Sequence, residues 1–373
     1  MSRGITTLEI KELKIPFKLS FKHHSAERST TQSLIVIAGD GTYKGYGESC
    51  PREYVTNESI ESVLGFFEEM KPGLLAQVKD FEDLKGFLKK QEAIISKNPS
   101  AWCALELALL DLFSKQNQCS LEKLLSIPEL TGTFQYTAVI GDGTFDSFSK
   151  MAGQYVKMKF SDFKIKISGD PVLDYKKFVF LSELTEGKSR IRLDANNLWK
   201  NKEDVVNYLR NCPVTIFAVE EPLVEKSITH LKGLSLKIKI PLILDESFNN
   251  VGQLEQLKEY QHAFIINLRV SKMGGLLRSL ELAWAAKKQN VGLIIGAQVG
   301  ETSILTRAGL CVANAIKPYQ TAMEGGFGTQ LLEHDLTQTP LMFGLAGELR
   351  PEELLDRSEN GFQLKIREGS IVE

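Results

Sequence analysis

Three acidic residues in this chain stand where short apolar runs end. Asp194 closes IRLD, Glu220 closes IFAVE, and Asp245 closes PLILD. If the runs are neighbouring parallel strands of one barrel, their carboxyl ends converge and the three carboxylates point at one place. Such a cluster needs a compensating charge, and a hard divalent cation that takes oxygen ligands provides one. The pattern therefore predicts a Mg²⁺ site, with Mn²⁺ as a substitute. Each acid by itself could equally cap the helix that follows it.

Two lysines precede these acids in the segment Phe163–Ile167, which reads FKIKI. Residues two apart lie on the same face of a strand, so Lys164 and Lys166 point the same way. If Ile165 and Ile167 face the surrounding helices, both ammonium groups face the interior. Two lysines near a buried site lower each other's pKa, which makes one of them a usable base near neutral pH. A pair of solvated lysines on an edge strand is the alternative.

The elements that would position these residues form a regular series after about residue 131. Eight β-rich runs begin mostly about 24 to 28 residues apart, with helix-compatible sequence between them. This is the rhythm of a (β/α)₈ TIM-type barrel, an α/β fold. A doubly wound sheet is the competing architecture, but no Gly-rich nucleotide loop follows the first run. The runs are Phe134–Ile140, Phe163–Ile167, Ile191–Ala195, Ile216–Glu220, Leu242–Asp245, Phe264–Val270, Val291–Gly296 and Tyr319–Glu324.

The residues before the barrel read as strands followed by helices, the order of an α+β unit. We expect residues 1–130 to form a capping domain, 131–345 the barrel, and 346–373 a tail that packs back and completes the cap. Within the cap, Leu8–Pro16, Ser33–Ala38 and Tyr43–Glu48 have strand character. Helical patterns follow at 59–70, 81–90 and 101–115.

Composition restricts the classes of partner. The formal net charge of −2 over 373 residues gives no electrostatic reason to bind nucleic acid or an anionic membrane. The five cysteines are scattered, without a CxxC pair, which is typical of a reducing compartment. No apolar run approaches the roughly 20 residues that cross a bilayer. We expect a cytoplasmic protein whose partner is a small carboxylate substrate.

Taken in order, these motifs resemble the muconate lactonizing enzyme subgroup of the enolase superfamily. The resemblance rests on Lys-x-Lys, Asp194-Ala195-Asn196, Glu220-x-Pro, Asp245-Glu246-Ser247 and Lys272-Met273-Gly274-Gly275. It extends to Gly45-Tyr46-Gly47-Glu48 and to Ala104-Leu105-Glu106…Asp111-Leu112 in the cap.

The resemblance implies roles for these residues. Asp194, Glu220 and Asp245 would bind Mg²⁺, and Lys166 would be the acid/base, with Lys164 supporting it. The reaction would remove a proton next to a substrate carboxylate through an enediolate, which the Lys-and-Mg²⁺ mechanism of this superfamily stabilises. The cap would cover the barrel mouth with a mobile loop near Leu19–Ser25. Relatives are commonly multimeric, so a homo-oligomer is expected.

One position departs from the family pattern. Racemases and epimerases of this subgroup use a second lysine on the sixth strand, but here that position is Arg269 in the run NLRVSKMGG. A guanidinium stays protonated and is a poor base, although it could clamp a carboxylate with two hydrogen bonds. Lys272, three residues further on, is the alternative second base. This substitution favours one-base lyase or cycloisomerase chemistry, such as o-succinylbenzoate synthesis or lactonization.

The residues expected to contact substrate come from the lid, from the end of the third barrel strand and from the last two barrel strands. Dipeptide epimerases carry Asp-x-Asp at the eighth strand, where this chain offers Glu324 as a single anion. A racemase or epimerase of dipeptides or N-acyl amino acids therefore stays open, as does a family member that binds ligand without turnover. The full set of expected substrate contacts is His23, His24, Asn196, Gln298, Glu301, Ser303 and Glu324.

Overall fold

The structure is a computed structural model that describes residues 4–23 and 26–371. Its first part is a three-stranded antiparallel sheet, in the order β1-β4-β5, and a separate hairpin of β2 and β3. Asp40 makes the turn between β4 and β5, because its Oδ1 accepts hydrogen bonds from the backbone of Thr42 and Tyr43, both at 2.7 Å. The strands are β1 (Thr7–Leu13), β2 (Pro16–His23), β3 (Ala26–Thr30), β4 (Ser33–Gly39) and β5 (Lys44–Ser49).

The hairpin corrects the sequence prediction for this region. The segment near Leu19–Ser25 was expected to be a loop, but most of it lies in β2, which pairs with β3. The base of the hairpin is fixed to the barrel: Lys18 N donates to Leu331 O at 2.8 Å, and Glu333 N donates to Pro16 O at 2.9 Å.

Helices pack on the first sheet. The longest contact is made by α5, whose residues are buried from Ser100 to Ser114, as its apolar circumference predicts. The two glycines of β5 permit this contact, since a Cβ on Gly47 would lie 2.0 Å from Ala104 O. The helices of this part are α1 (Glu53–Thr56), α2 (Ile60–Gln77), α3 (Phe81–Lys90), α4 (Glu92–Ile95), α5 (Pro99–Gln116) and α6 (Leu121–Leu125).

A barrel of eight parallel strands follows, which confirms the predicted fold class. The strands β7 to β14 pair in sequence order. The barrel closes where Thr137 N donates to Met323 O at 2.8 Å and Tyr136 forms a parallel bridge with Met323. Its strands are β7 (Ala138–Ile140), β8 (Asp162–Lys166), β9 (Arg190–Asp194), β10 (Ala218–Glu220), β11 (Leu242–Leu244), β12 (Phe264–Arg269), β13 (Gly292–Gly296) and β14 (Ala322–Met323).

The predicted run Phe134–Ile140 is not one strand. Its first residues form β6 (Phe134–Gln135), which pairs antiparallel with β15 (Glu348–Leu349) of the tail, and only Ala138–Ile140 joins the barrel. The chain changes partner between them, where Tyr136 N donates to Gly347 O at 2.8 Å. A run of apolar residues does not reveal such a change, because both partners bury it equally.

Helices surround the barrel between successive strands. Of the described crossovers, the one after β11 contains the least α-helix, a single helix of four residues. These helices are α7 (Phe145–Lys157), α8 (Pro171–Leu184), α9 (Lys202–Arg210), α10 (Ile228–Ile238), α11 (Leu254–Leu257), α12 (Val270–Met273), α13 (Leu276–Gln289) and α14 (Ser303–Ile316), and α15 (Pro351–Leu354) lies in the tail.

Carboxylates of the cap join it to the barrel. Glu106 of α5 accepts a hydrogen bond from Leu277 N at 3.0 Å, and Glu48 of β5 accepts from Thr302 N at 2.9 Å. Each carboxylate thus satisfies backbone donors at the start of a barrel helix, α13 or α14. Gly275, just before α13, leaves room for this, since a Cβ there would lie 2.4 Å from Glu106 Oε1. Within residues 4–23 and 26–371, no helix is both long and apolar enough to cross a membrane.

Candidate active site

A cavity of about 580 Å³ opens at the carboxyl ends of the barrel strands. Among the described residues that supply polar groups to it are six from four different strand ends: Lys164, Lys166, Asp194, Asn196, Arg269 and Glu324. This is the end of a TIM-type barrel where side chains from several strands meet. The volume is in the range of small-molecule sites.

Lys164 lies at the centre of an ion-pair network inside the barrel. Its Nζ is 3.0 Å from Glu220 Oε1, 2.7 Å from Glu324 Oε2 and 3.6 Å from Asp194 Oδ2. Burial lowers the pKa of the Lys164 ammonium, but the carboxylates of Glu220, Glu324 and Asp194 outweigh it and the pKa is raised. The expectation that a neighbouring lysine lowers this pKa is therefore wrong for Lys164, which remains a cation held by three acids.

Lys166 also faces the cavity, two residues further along β8. Its Nζ donates a hydrogen bond to Asn196 Oδ1 at 2.9 Å and lies 3.3 Å from Asp194 Oδ2. Asn196 follows β9 with a φ of 44°, and its backbone N–H donates to Asp194 Oδ1 at 3.1 Å. Asn196 thus contacts both Asp194 and Lys166, so it holds the Lys166 amine rather than only lining the site.

Glu220 is buried inside the barrel, to the same extent as Asp245. Besides Lys164, its Oε1 accepts a hydrogen bond from Asn267 Nδ2 at 3.2 Å. Its pKa is raised, chiefly by burial, whereas the pKa of Asp194 is lowered because Lys166 and Lys164 outweigh the effect of burial.

Asp245 is contacted by two cations. It forms an ion pair with the guanidinium of Arg269, and its Oδ1 is 3.0 Å from Lys272 Nζ. Lys272 Nζ also donates to the backbone oxygens of Asp245 at 2.7 Å and Asn267 at 2.8 Å. Burial, followed by the charge of Arg269, lowers the pKa of Lys272 to about 7. The described residues lining the cavity do not include Lys272, so it supports Asp245 from behind.

Arg269 and Lys166 stand on opposite sides of the cavity. Lys166 ends β8, the second barrel strand, and Arg269 ends β12, the sixth, and these are diametrically opposed in an eight-stranded barrel. Arg269 donates from Nη1 to Gln298 Oε1 at 2.8 Å. Gln298 also faces the cavity, and its buried Nε2 has no acceptor in the described part of the chain. A substrate oxygen is the kind of group that would satisfy this donor.

Glu324 ends the eighth strand and lines the cavity, but its charge is already compensated. Its Oε1 is 2.9 Å from Arg192 Nη1 and its Oε2 is 2.7 Å from Lys164 Nζ. Arg192 is fully buried. Burial raises the pKa of Glu324, but these two cations outweigh burial, so the pKa is lowered and the carboxylate is ionised and paired.

Two expected substrate contacts have other surroundings, and two cannot be placed from the described residues. Glu301 and Ser303 are absent from the described cavity lining. Glu301 accepts from Gln298 N at 2.6 Å, and Ser303 Oγ accepts from Leu341 N at 2.8 Å, so both organise the segment after β13. His23 is the last residue of β2, and its side chain is not described; His24 lies outside the described residues.

The donor set at the strand ends fits a hard divalent cation. Asp194, Glu220 and Asp245 supply carboxylate oxygens, the ligands that Mg²⁺ prefers. Glu246 adds a carboxyl group at the cavity whose buried Oε2 lacks a partner among the described residues. Over those same residues, no three acidic, His or Cys side chains surround one point, because Lys164 lies between Asp194 and Glu220, and Arg269 contacts Asp245. Binding a metal would require these cations to move outward.

One part of the cavity was not anticipated from the sequence. Ser147 and Gln154 of α7 line it, and so does an apolar set: Phe148, Met151 and Tyr155 of the helix, and Met158, which follows it. Their spacing of three and four residues puts them on one face of the helix, a signal visible in the sequence. That face is apolar, like any helix face that packs on a barrel, and nothing distinguishes the two cases before the cavity is seen.

Comparison with known proteins gives consistent matches. The profile of the family described as enolase C-terminal domain-like matches residues 147–347. The L-Ala-D/L-Glu epimerase of Clostridium acetobutylicum is 26% identical over 84% of this chain and 87% of its own. The N-succinyl-L-Arg/Lys racemase of Bacillus cereus is 24% identical over 83% of this chain and 84% of its own. Muconate cycloisomerase 1 of Rhodococcus opacus is 24% identical over 94% of each chain.

A solved structure shares the fold over almost the whole chain. The dipeptide epimerase of Enterococcus faecalis, complexed with Mg and the dipeptide L-Leu-L-Tyr, superposes with a TM-score of 0.80 at 22% identity, covering 93% of this chain and 97% of that one. The barrel, its cap and the family match over more than half of the sequence all indicate the same family. The chain belongs to the enolase superfamily of enzymes, among the mandelate racemase and muconate lactonizing enzyme-like members.

Proposed function

We propose that this enzyme removes the proton next to the carboxylate of a dipeptide or an N-acyl amino acid and returns a proton to the same carbon, as an epimerase or racemase does. The observation that carries the proposal is the placement of the Lys166 amine at the cavity, hydrogen-bonded to Asn196 and beside Asp194. An epimerase and a racemase, each similar to this chain over more than four fifths of its length, support this substrate class. The sequence alone favoured a lyase or cycloisomerase.

In this proposal each residue has a separate task. Lys166, in its amine form, accepts the α-proton and can give it back. Asp194, Glu220 and Asp245 would hold Mg²⁺, which when bound would supply positive charge beside the substrate carboxylate and stabilise the charge left by the departing proton. Lys164 keeps Glu220 and Glu324 compensated while the site awaits substrate. Gln298 Nε2 and Arg269 donate hydrogen bonds to substrate oxygens.

One-base chemistry is the second candidate, and Arg269 is the observation that favours it. Inversion needs a proton delivered on the face opposite Lys166, where this chain places a guanidinium. A guanidinium is a very weak acid and base. A reaction completed on the Lys166 face alone, such as β-elimination or cycloisomerisation, has no need of that second proton.

The test is solvent deuterium incorporation, followed by NMR, with Mg²⁺ and a panel of dipeptides, N-acyl amino acids and hydroxy acids. Lys166→Ala is the variant, and Lys188→Ala, an exposed lysine outside the cavity, is the matched control. We expect α-proton exchange in the wild type and the control and none in Lys166→Ala. Exchange that survives in Lys166→Ala contradicts the proposal. Exchange accompanied by loss of water or by ring formation would favour the second candidate.

A further inference from the structure

The cavity has an apolar wall on the side away from the strand-end carboxylates. The wall consists of Phe148, Met151 and Tyr155 on one face of α7, Met158 directly after that helix, and Phe327 and Leu331 from the segment after β14. We call this set the α7 wall. Met151, Tyr155 and Met158 are only half-buried, so the helix presents apolar surface that the protein itself does not cover. Such surface in a concave site is typical of a ligand contact.

The charged groups around the cavity do not extend onto this wall. Glu324 is held by Lys164 and Arg192, and Asp142, at the end of β7, lies 3.2 Å from Lys177 Nζ. Each of these two carboxylates therefore has a cation of the protein beside it. A substrate ammonium near the wall would have to compete with those cations for the two carboxylates. Without a carboxylate to pair with, it would lose its hydration and gain nothing in return.

We propose that the α7 wall is the subsite for an uncharged, apolar arm of the substrate, so that the natural substrate is an N-acylated amino acid whose acyl arm is apolar. This inference rests on the proposed function, which puts the carboxylate end of the substrate beside Lys166 and the metal that the strand-end acids would hold. The arm then extends toward α7 and covers Met151 and Met158. Free dipeptides with an N-terminal ammonium, and acyl arms that end in a charge, fit less well.

Three ligands that differ only at the end of a six-carbon acyl arm test the proposal. N-hexanoyl-L-alanine ends in a methyl group, N-(6-aminohexanoyl)-L-alanine in an ammonium, and N-adipoyl-L-alanine in a carboxylate. Calorimetric titration into the Mg²⁺-loaded full-length protein should give at least about tenfold tighter binding of the hexanoyl compound, the size of effect that one poorly matched group has in an apolar pocket.

The variant is Met151→Glu and its matched control is Met151→Leu. We expect Met151→Glu to weaken binding of the hexanoyl compound at least about tenfold, and Met151→Leu to leave it within about threefold. Equal binding of the three compounds, tighter binding of a charged one, or no binding of any of them overturns the inference. Binding is measured independently of turnover, so hexanoyl-selective binding without α-proton exchange would refute the proposed function and leave the subsite standing.

Discussion

Arg269 contacts the carboxylate of Asp245 from the neighbouring barrel strand. The same guanidinium lies across the cavity from Lys166. One residue thus neutralises an expected metal ligand and stands where the family pattern leads us to expect a second base. We expect its chemistry to decide the stereochemical outcome of the reaction.

Replacing Arg269 by lysine should change that outcome. As an epimerase or racemase, the wild type should invert its substrate, but we expect proton exchange on the Lys166 face to be at least about tenfold faster than inversion, because a guanidinium is a weak proton donor. In Arg269→Lys, an amine that can titrate faces the second side of the α-carbon, and inversion should speed up at least about tenfold relative to exchange. Chiral chromatography of an N-acyl amino acid incubated in deuterium oxide measures both rates.

An Arg269→Met variant is the control for loss of the cation alone. It should not gain inversion, since it offers no proton donor. If the wild type inverts substrate as fast as it exchanges the proton, Arg269 or another group serves as the second acid, and the weak-donor argument is refuted.

Metal binding should depend on the strand-end acids. Glu220→Gln keeps the shape of a fully buried side chain but removes its charge, and we expect Mn²⁺ affinity to fall at least about 100-fold. Electron paramagnetic resonance of free Mn²⁺ measures this without any substrate. The control is Asp142→Asn, which changes a carboxylate that follows β7 and lines the cavity. It should change the Mn²⁺ affinity less than about threefold. Equal affinity in the wild type and Glu220→Gln would remove Glu220 from the metal site.

Asn196 should matter for the rate more than for binding. It accepts the hydrogen bond from Lys166 Nζ, so in Asn196→Ala the amine keeps only its ion pair with Asp194 and is less well positioned. A misplaced base costs roughly 100-fold in rate. We expect kcat to fall by about that factor while Mn²⁺ affinity and KM change little. A rise in KM with unchanged kcat would instead mean that Asn196 binds substrate.

The junction between cap and barrel should respond to pH through Glu106. Burial raises the pKa of this carboxyl to about 7, against an ordinary value of 4.5. Its contribution to stability is fully present below about pH 4.5 and is lost as the pH rises through 7, because the unfolded chain then releases its proton first. The loss amounts to roughly 3 kcal/mol.

Denaturant titrations between pH 5 and pH 9 measure this effect. The unfolding free energy of the wild type should fall relative to that of Glu106→Gln over the range, since glutamine does not titrate. Glu68→Gln, an exposed change on α2, should follow the wild type. If wild type and Glu106→Gln keep a constant difference at all pH values, the carboxyl is ionised throughout and the pKa argument is wrong.

The sequence predicted the barrel because periodic apolar runs are dictated by burial on both sides of a parallel sheet. It also predicted that Lys164 and Lys166 face inward, because alternation along a strand leaves no other choice once Ile165 packs outward. It could not predict the partners of Lys164 and Glu324, which meet across the barrel over 160 positions of sequence. Nor could it show that Glu48 and Glu106 hold barrel helices, since a buried acid at a domain junction has no local pattern.

The most direct test of the central claim is the loss of deuterium from an α-deuterated N-acyl amino acid, followed for the wild type and Lys166→Met side by side. Mn²⁺ binding is measured on both proteins, so that a folded and metal-loaded site is established in each. The account predicts equal metal affinity and a washout rate lower by about 10²- to 10⁴-fold in Lys166→Met, the usual contribution of a general base. Washout at the same rate in both proteins would mean that another group takes the proton, and that Lys166 is not the base.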